Sequence, residues 1–179
     1  LVAAGYANYS SSTGLVLAVA GGGAPTELDL TRGDANSHGE FREARALACP
    51  RRGQLYSLND ARFDDWPEGL RRYIEDARAG RGATRKKYSA RYVCSLVTDF
   101  HRTLYQGGWC GNPRPHLRLV YECAPLAFVA RAAGGRGSDG LGEILNRKPR
   151  ETHERTPFFA GSVEDVDELE SYGDVRQGE

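Results

Sequence analysis

The chain opens on β-type patterning. In residues 1–31, NYSSST leads into the apolar run LVLAVA, GGG makes a turn, and TELDL alternates as a short strand. Residues 32–53 lose the pattern and are rich in Arg, Gly and Ala, which predicts a surface loop. The tripeptide Arg32-Gly33-Asp34 in that loop is a chance match to an adhesion motif. LYSL at 55–58 resumes as a strand and ends at Asn59-Asp60. Leu70, Tyr73, Ile74 and Ala77 then recur at helical spacing, with Pro67 before them and Gly80 after, which predicts a helix over 67–79. Beyond the basic loop RGATRKK, Val93, Leu96, Val97, Phe100 and Leu104 mark one apolar stripe, closed by Gly107-Gly108.

The stretch HLRLVYECAP, 116–125, reads as a further strand. Leu117, Leu119, Tyr121 and Cys123 fall on one face, and Arg118, Val120 and Glu122 on the other. Pro125 then opens a helix through PLAFVARAA, stopped by Gly134-Gly135. FFAG predicts a short buried strand. SVEDVDELESY predicts the last helix, with Ser162 as its cap, Asp165 as the capping-box partner, and Val163, Val166 and Leu169 facing inward. Strands and helices alternate in the second half, so the class is α/β. There is no internal repeat and no second domain boundary.

Composition narrows the function classes. Among 179 residues, 24 basic side chains balance 24 acidic ones, so no charge excess points to nucleic acid or a membrane surface. The longest apolar run, residues 15–20, is far too short to span a bilayer. Cys49, Cys94, Cys110 and Cys123 lack CxxC spacing, which argues against a zinc ribbon and for free thiols in a reducing compartment. The chain begins at Leu1 and contains no Met, so a piece of a longer protein is expected, and a missing targeting signal says nothing about location.

Glu122 is the most conspicuous candidate. It closes the predicted strand just before a helix N-terminus, where ligands bind in open α/β sheets and an anion is stabilised. A carboxylate there serves as a hard-metal ligand or as a cap, and position alone leaves both open. Arg118 lies four residues back, about 13 Å along a strand, so no direct pair with Glu122 is expected. Arg91-Tyr92 enters a helix from a basic loop, where a guanidinium can clamp a phosphate or simply sit in solvent. Asn59-Asp60 suits a sugar or phosphate contact and also a turn. His101 is expected to be a hydrogen-bonded helix residue, and His116 a donor to an anion when protonated. No Ser-His-Asp order, Walker loop or GxGxxG is present.

Several longer motifs carry a resemblance. LVAAGYANYSSST, GQLYSLND, YSARYVCSLVTDFHRTLYQGGW, LRLVYECAPLAFVARAAGGRGSDG and THERTPFFAGSVEDV resemble, in order, the carboxy-terminal half of the fructose-1,6-bisphosphatases, closer in wording to plastid and bacterial members than to animal ones. The resemblance covers residues 1–179 except a divergent loop at 32–52. It implies a layered sheet-and-helix sandwich of the sugar-phosphatase type. It also implies Mg²⁺-dependent hydrolysis of the 1-phosphate of fructose 1,6-bisphosphate to fructose 6-phosphate, a homotetramer, and no nucleic-acid or membrane partner. Glu122 falls on the family's metal-ligand glutamate. Asn59, with Asp60 beside it, falls on a 6-phosphate contact, and Arg91 and Tyr92 fall on the Arg-Tyr pair at that phosphate, the arginine reaching a neighbouring subunit. Leu96 falls on an apolar substrate contact and Arg118 on an arginine beside the active site. His116 stands where the family has a substrate-binding lysine, and Asn112 where it has a tyrosine. Losing one charge-assisted bond costs about 1.5–3 kcal/mol, so weaker sugar binding is expected. No catalytic residue is expected in this segment, because the family's amino-terminal metal and catalytic domain has no counterpart in it. The chain alone is therefore expected to be inactive. A non-catalytic sugar-phosphate-binding or decayed homologue, and a sedoheptulose-1,7-bisphosphatase, are the alternatives. The implied location is the chloroplast stroma, with the cytoplasm as the alternative.

Overall fold

A computed structural model describes residues 1–33 and 39–178, so Asp34 of the Arg-Gly-Asp tripeptide lies outside the described residues. The first four strands, β1 (Ala3–Tyr9), β2 (Thr13–Val19), β3 (Thr26–Leu30) and β4 (Phe41–Ala46), form an antiparallel sheet in sequence order. Its pleat follows the predicted alternation: Val16 and Ala18 are buried while Leu17 and Val19 face outward. Strand β4 corrects the predicted loop. All six of its side chains are exposed, so it pairs with β3 through the backbone and has no apolar face for a pattern to reveal.

The second sheet contains β5 (Leu55–Ser57), β6 (Ser89–Ala90), β7 (Trp109–Arg118), β8 (Arg136–Ser138) and β9 (Arg155–Gly161) in the order β6-β5-β7-β9-β8. Strand β5 runs parallel to β6 and β7, and β9 runs antiparallel to β7 and β8. Among the described residues, four α-helices complete the fold: α1 (Glu68–Ala79), α2 (Leu96–Gln106), α3 (Ala124–Ala132) and α4 (Val163–Ser171). Helices α2 and α3 contact strands of both sheets, and Phe100, Leu104 and Leu126 share one core with Tyr6, Val16 and Phe158. Helices α1 and α4 cover the other face of the second sheet, where Ile74, Val166 and Leu169 pack with Tyr56, Trp109 and Phe159. Trp109 settles its only polar atom in that core by donating from Nε1 to Tyr73 Oη at 2.9 Å. The result is the expected layered α/β sandwich.

The caps followed the sequence at α1 and departed from it at α4. Gly80 ends α1 in the left-handed region at φ 71°, as predicted. Ser162 stands at the N-cap of α4, but its hydroxyl makes no capping bond and accepts from the Gly108 N–H at 3.1 Å. Asp165 accepts from Gly53 N–H at 2.7 Å and Tyr88 Oη at 2.6 Å, and pairs with Arg52 at 3.2 Å. Both side chains thus satisfy donors from loops crossing the helix start, and the capping box does not form. Val166 and Leu169 are buried as expected, while Val163 is half-buried.

The largest correction concerns residues 119–123. Strand β7 ends at Arg118, and Leu119–Cys123 winds as a π-helical turn directly into α3. Leu119 and Cys123 are four apart and face inward under either period, which made the stretch read as a strand. Tyr121 separates the readings, because it is 48% exposed rather than buried beside them. Cys49, Cys110 and Cys123 are buried free thiols, and Cys94 is an exposed one. Among the described residues, no helix is long and apolar enough to cross a membrane.

Candidate functional site

The site begins with a short segment that has no regular structure. After β6, Arg91 N–H donates to the Tyr56 carbonyl at 2.8 Å, tying the chain to β5. Residues 92–95 then lead into α2, and two helix residues hold them in place. Asp99 is 3% exposed and accepts from Val93 N–H with both carboxylate oxygens at 3.2 Å. Arg102 pairs with Asp99 and donates to the Arg91 carbonyl at 2.6 Å. Cys94 adopts φ 67°, a left-handed backbone rarely taken by a residue with a Cβ. Tyr92 Oη donates to Cys94 Sγ at 3.3 Å. The pattern gave no warning of these braces, because Asp99 reads as an ordinary polar position on a helix.

This segment, the end of β5 and the middle of β7 enclose a cavity of about 240 Å³. Tyr92, Leu96, Asn112 and His116 all line it, so it gathers four predicted site residues from the segment entering α2 and from β7. Ser57, Cys94 and Asp99 line it too, and sequence reasoning had not selected them for a site. A smaller cavity of about 80 Å³ shares Tyr92 and Asn112 with the first and adds Asn59, Arg62 and Gln177. Asn59 Oδ1 accepts from Ala61 N–H at 3.3 Å, and Asn112 Oδ1 from Arg114 N–H at 3.0 Å. Each asparagine thus spends its acceptor on its own turn and keeps its amide N–H groups as donors, which suits an oxygen-rich or anionic ligand. His116 is exposed, with Nδ1 3.5 Å from Arg155 Nη1.

The other predicted residues lie outside both cavities. Arg91 is exposed and its guanidinium donates to the Ala90 carbonyl at 2.9 Å. Asp60 is engaged by Arg78 of α1 and by Tyr56 Oη at 3.2 Å. Arg118 and Glu122, expected to be too far apart to pair, are neighbours because the π-turn folds the chain back. Arg118 N–H donates to Glu122 Oε2 at 2.7 Å, and its guanidinium approaches to 3.9 Å. His101, as expected of a hydrogen-bonded helix residue, shares a 2.9 Å bond with Tyr6 Oη.

Among the described residues, no three His, Cys, Asp or Glu side chains converge as a metal site. Glu122 is a single half-buried carboxylate with one oxygen already accepting a hydrogen bond. Mg²⁺ demands near-octahedral coordination by about six oxygens, so this residue by itself does not hold it.

Comparison with known proteins gives the arrangement its context. A family model described as "Fructose-1-6-bisphosphatase, C-terminal domain" matches residues 49–174, beginning just after the first sheet. The chloroplastic fructose-1,6-bisphosphatase of Pisum sativum is 44% identical, over 96% of this chain and 42% of that protein. The class 1 enzyme of Synechococcus elongatus is also 44% identical, over 95% of this chain and 48% of its own length. The chain thus spans less than half the length of these relatives. The crystal structure of Leishmania major fructose-1,6-bisphosphatase in holo form superposes with a TM-score of 0.86 at 34% identity, covering 97% of this chain and 54% of that one. With its sequence motifs, its layered fold and these matches in agreement, the chain belongs to the fructose-1,6-bisphosphatase family.

Proposed function

We propose that the protein carrying this chain hydrolyses the 1-phosphate of fructose 1,6-bisphosphate and releases fructose 6-phosphate, and that residues 1–179 form its carboxy-terminal sugar-phosphate-binding domain. The observation that carries this reading is the convergence of Tyr92, Leu96, Asn112 and His116 on one cavity, with Asn59 in the adjoining lobe. The asparagine amides donate toward the 6-phosphate and sugar oxygens, and the Tyr92 ring walls the cavity beside them. Leu96 packs against the sugar carbons, and His116 lends a positive charge when protonated. Asp60 steadies the strand end that carries Asn59, through Tyr56 and Arg78. Arg91 stands exposed, free to reach the cavity of a neighbouring subunit in a homotetramer.

Glu122 supplies one oxygen ligand to Mg²⁺, with Arg118 fixing its orientation through the backbone N–H. The remaining ligands lie outside this chain, so its own residues bind and orient the sugar phosphate and do not break the phosphate ester. The chloroplastic names of the plant relatives favour the plastid stroma as its location.

The test is phosphate release by the full-length protein with Mg²⁺, with fructose 1,6-bisphosphate and sedoheptulose 1,7-bisphosphate assayed side by side. Turnover of the fructose substrate is expected, with none from residues 1–179 alone. Absence of phosphate release by the full-length protein refutes the reading. Preference for the seven-carbon sugar reassigns the substrate.

A further inference from the structure

Ser57 is the last residue of β5, and its register partner on β7 is Cys110. The preceding side chain, Tyr56, packs into the α1-side core, and Ser57 lines the cavity of about 240 Å³. Ser57 is only 2% exposed, yet among the described residues its hydroxyl has no hydrogen-bond partner. A buried hydroxyl with no partner bears its full desolvation cost, so such a group in a native fold calls for an explanation. The neighbours in the cavity wall do not provide a partner. Asp99 is occupied by Val93 N–H and Arg102, and Cys110 carries a weakly polar thiol.

We infer that Ser57 Oγ is a direct contact to a sugar hydroxyl, a specificity-determining residue at the floor of the cavity. The inference rests on the sugar-phosphate reading above and assigns a part of that site not otherwise accounted for. A hydroxyl is favoured over a phosphate by the charges present. No Lys or Arg lines this cavity, and the Asp99 carboxylate does, so a phosphate dianion seated beside Ser57 meets repulsion. A sugar hydroxyl is neutral and both donates and accepts, which matches a serine hydroxyl in either direction. The phosphate then belongs toward the His116 and Asn112 side.

The experiment compares full-length wild type with Ser57→Ala. Fructose 6-phosphate binding is measured by calorimetry, and iodoacetamide alkylation of Cys94 is followed by peptide mass spectrometry. Cys94 is the exposed thiol of the four in this chain and lines the same cavity, so its protection reports occupancy without requiring activity. The expected result is a Kd for fructose 6-phosphate raised about three- to tenfold in Ser57→Ala. Inorganic phosphate binding stays unchanged, and the melting temperature of the free protein stays equal or rises, because an unsatisfied polar group has been removed. Unchanged sugar-phosphate affinity overturns the inference. A matching loss for inorganic phosphate, or a melting temperature lowered by several degrees, overturns it as well, since either gives the hydroxyl a different partner. If wild type neither binds fructose 6-phosphate nor protects Cys94, the sugar-phosphate reading itself fails, a result distinct from wild-type binding that Ser57→Ala leaves intact.

Discussion

The charge at position 116 governs how firmly the proposed site holds an anion. His116 is exposed and lines the cavity, and Arg155 Nη1 donates to its carbonyl at 3.2 Å. A lysine ammonium stays charged across the physiological range and extends farther than an imidazole ring. His116→Lys therefore adds one charge-assisted bond, worth about 1.5–3 kcal/mol. Fructose 6-phosphate affinity of the full-length protein is expected to rise about ten- to a hundredfold by calorimetry. An unchanged Kd excludes position 116 from the phosphate contact. Glu122 teaches a different lesson at the same scale. Its residue type and its place before α3 were legible in the sequence, but its partner was not. The predicted strand set Arg118 about 13 Å away, whereas the π-turn brings the Arg118 N–H to 2.7 Å.

Helix α2 is the element that builds the site. Its buried face, Phe100 and Leu104, follows from apolar spacing, and Gly107 ends it at φ 73°. Its functional contribution comes from polar residues that the spacing does not distinguish. Asp99 and Arg102 pin residues 91–93, and so determine where Tyr92 and Cys94 meet the cavity. Asp99→Ala leaves Val93 N–H without its acceptor and Arg102 without its ion partner. Removing one member of a buried pair costs about 3–5 kcal/mol, and the partial exposure of Arg102 places the expected loss at the lower end, about 3 kcal/mol. The variant is expected to show a lower urea midpoint and faster alkylation of Cys94. A variant with wild-type midpoint and alkylation rate shows that the segment holds its shape without Asp99.

At the scale of the whole molecule, α2 is also tied to the first sheet through a polar cluster around a buried carboxylate. Glu27 of β3 is 4% exposed, accepts from Arg45 at 2.8 Å and from Tyr105, and lies 3.6 Å from His101 Nε2. Burial alone raises the Glu27 carboxyl, but hydrogen bonds from Tyr105 and Arg45 outweigh it and hold the pKa below the ordinary 4.5. Burial holds His101 below the ordinary 6.5, against the attraction of Glu27. Both groups bind protons more readily in the unfolded chain, so acid weakens the fold. The His101 contribution is present above pH 6.5 and fades below it as pH falls toward the depressed folded value. The Glu27 contribution fades in the same way below pH 4.5. Urea midpoints are expected to decline as pH falls through these two ranges, and Glu27→Gln to make the lower decline shallower. A midpoint constant from pH 8 to pH 4 contradicts the linkage.

The sequence by itself determined the α/β class, the strands β2, β3, β5 and β9, the four α-helices and the family. These depend on local chemistry: apolar spacing, glycines that end helices, and ordered motifs. Only the tertiary structure decided what those elements do together. Strand β4 is held by backbone pairing with β3, which leaves no side-chain pattern to read. Residues 119–123 satisfy two periods at once, and packing of Leu119 and Cys123 beneath α3 chose the π-turn. Ser162 and Asp165 read as a capping box, but the loops at Gly53 and Gly108 supply the donors they bind. The cavity draws Ser57 from β5, Tyr92 and Leu96 from the segment entering α2, and Asn112 and His116 from β7, and no spacing along the chain encodes the approach of these three parts. Sequence periodicity records which way each side chain faces relative to its own element. Which groups from different elements finally meet depends on how the layers stack, and that decides both the proposed sugar site and the orphaned hydroxyl within it.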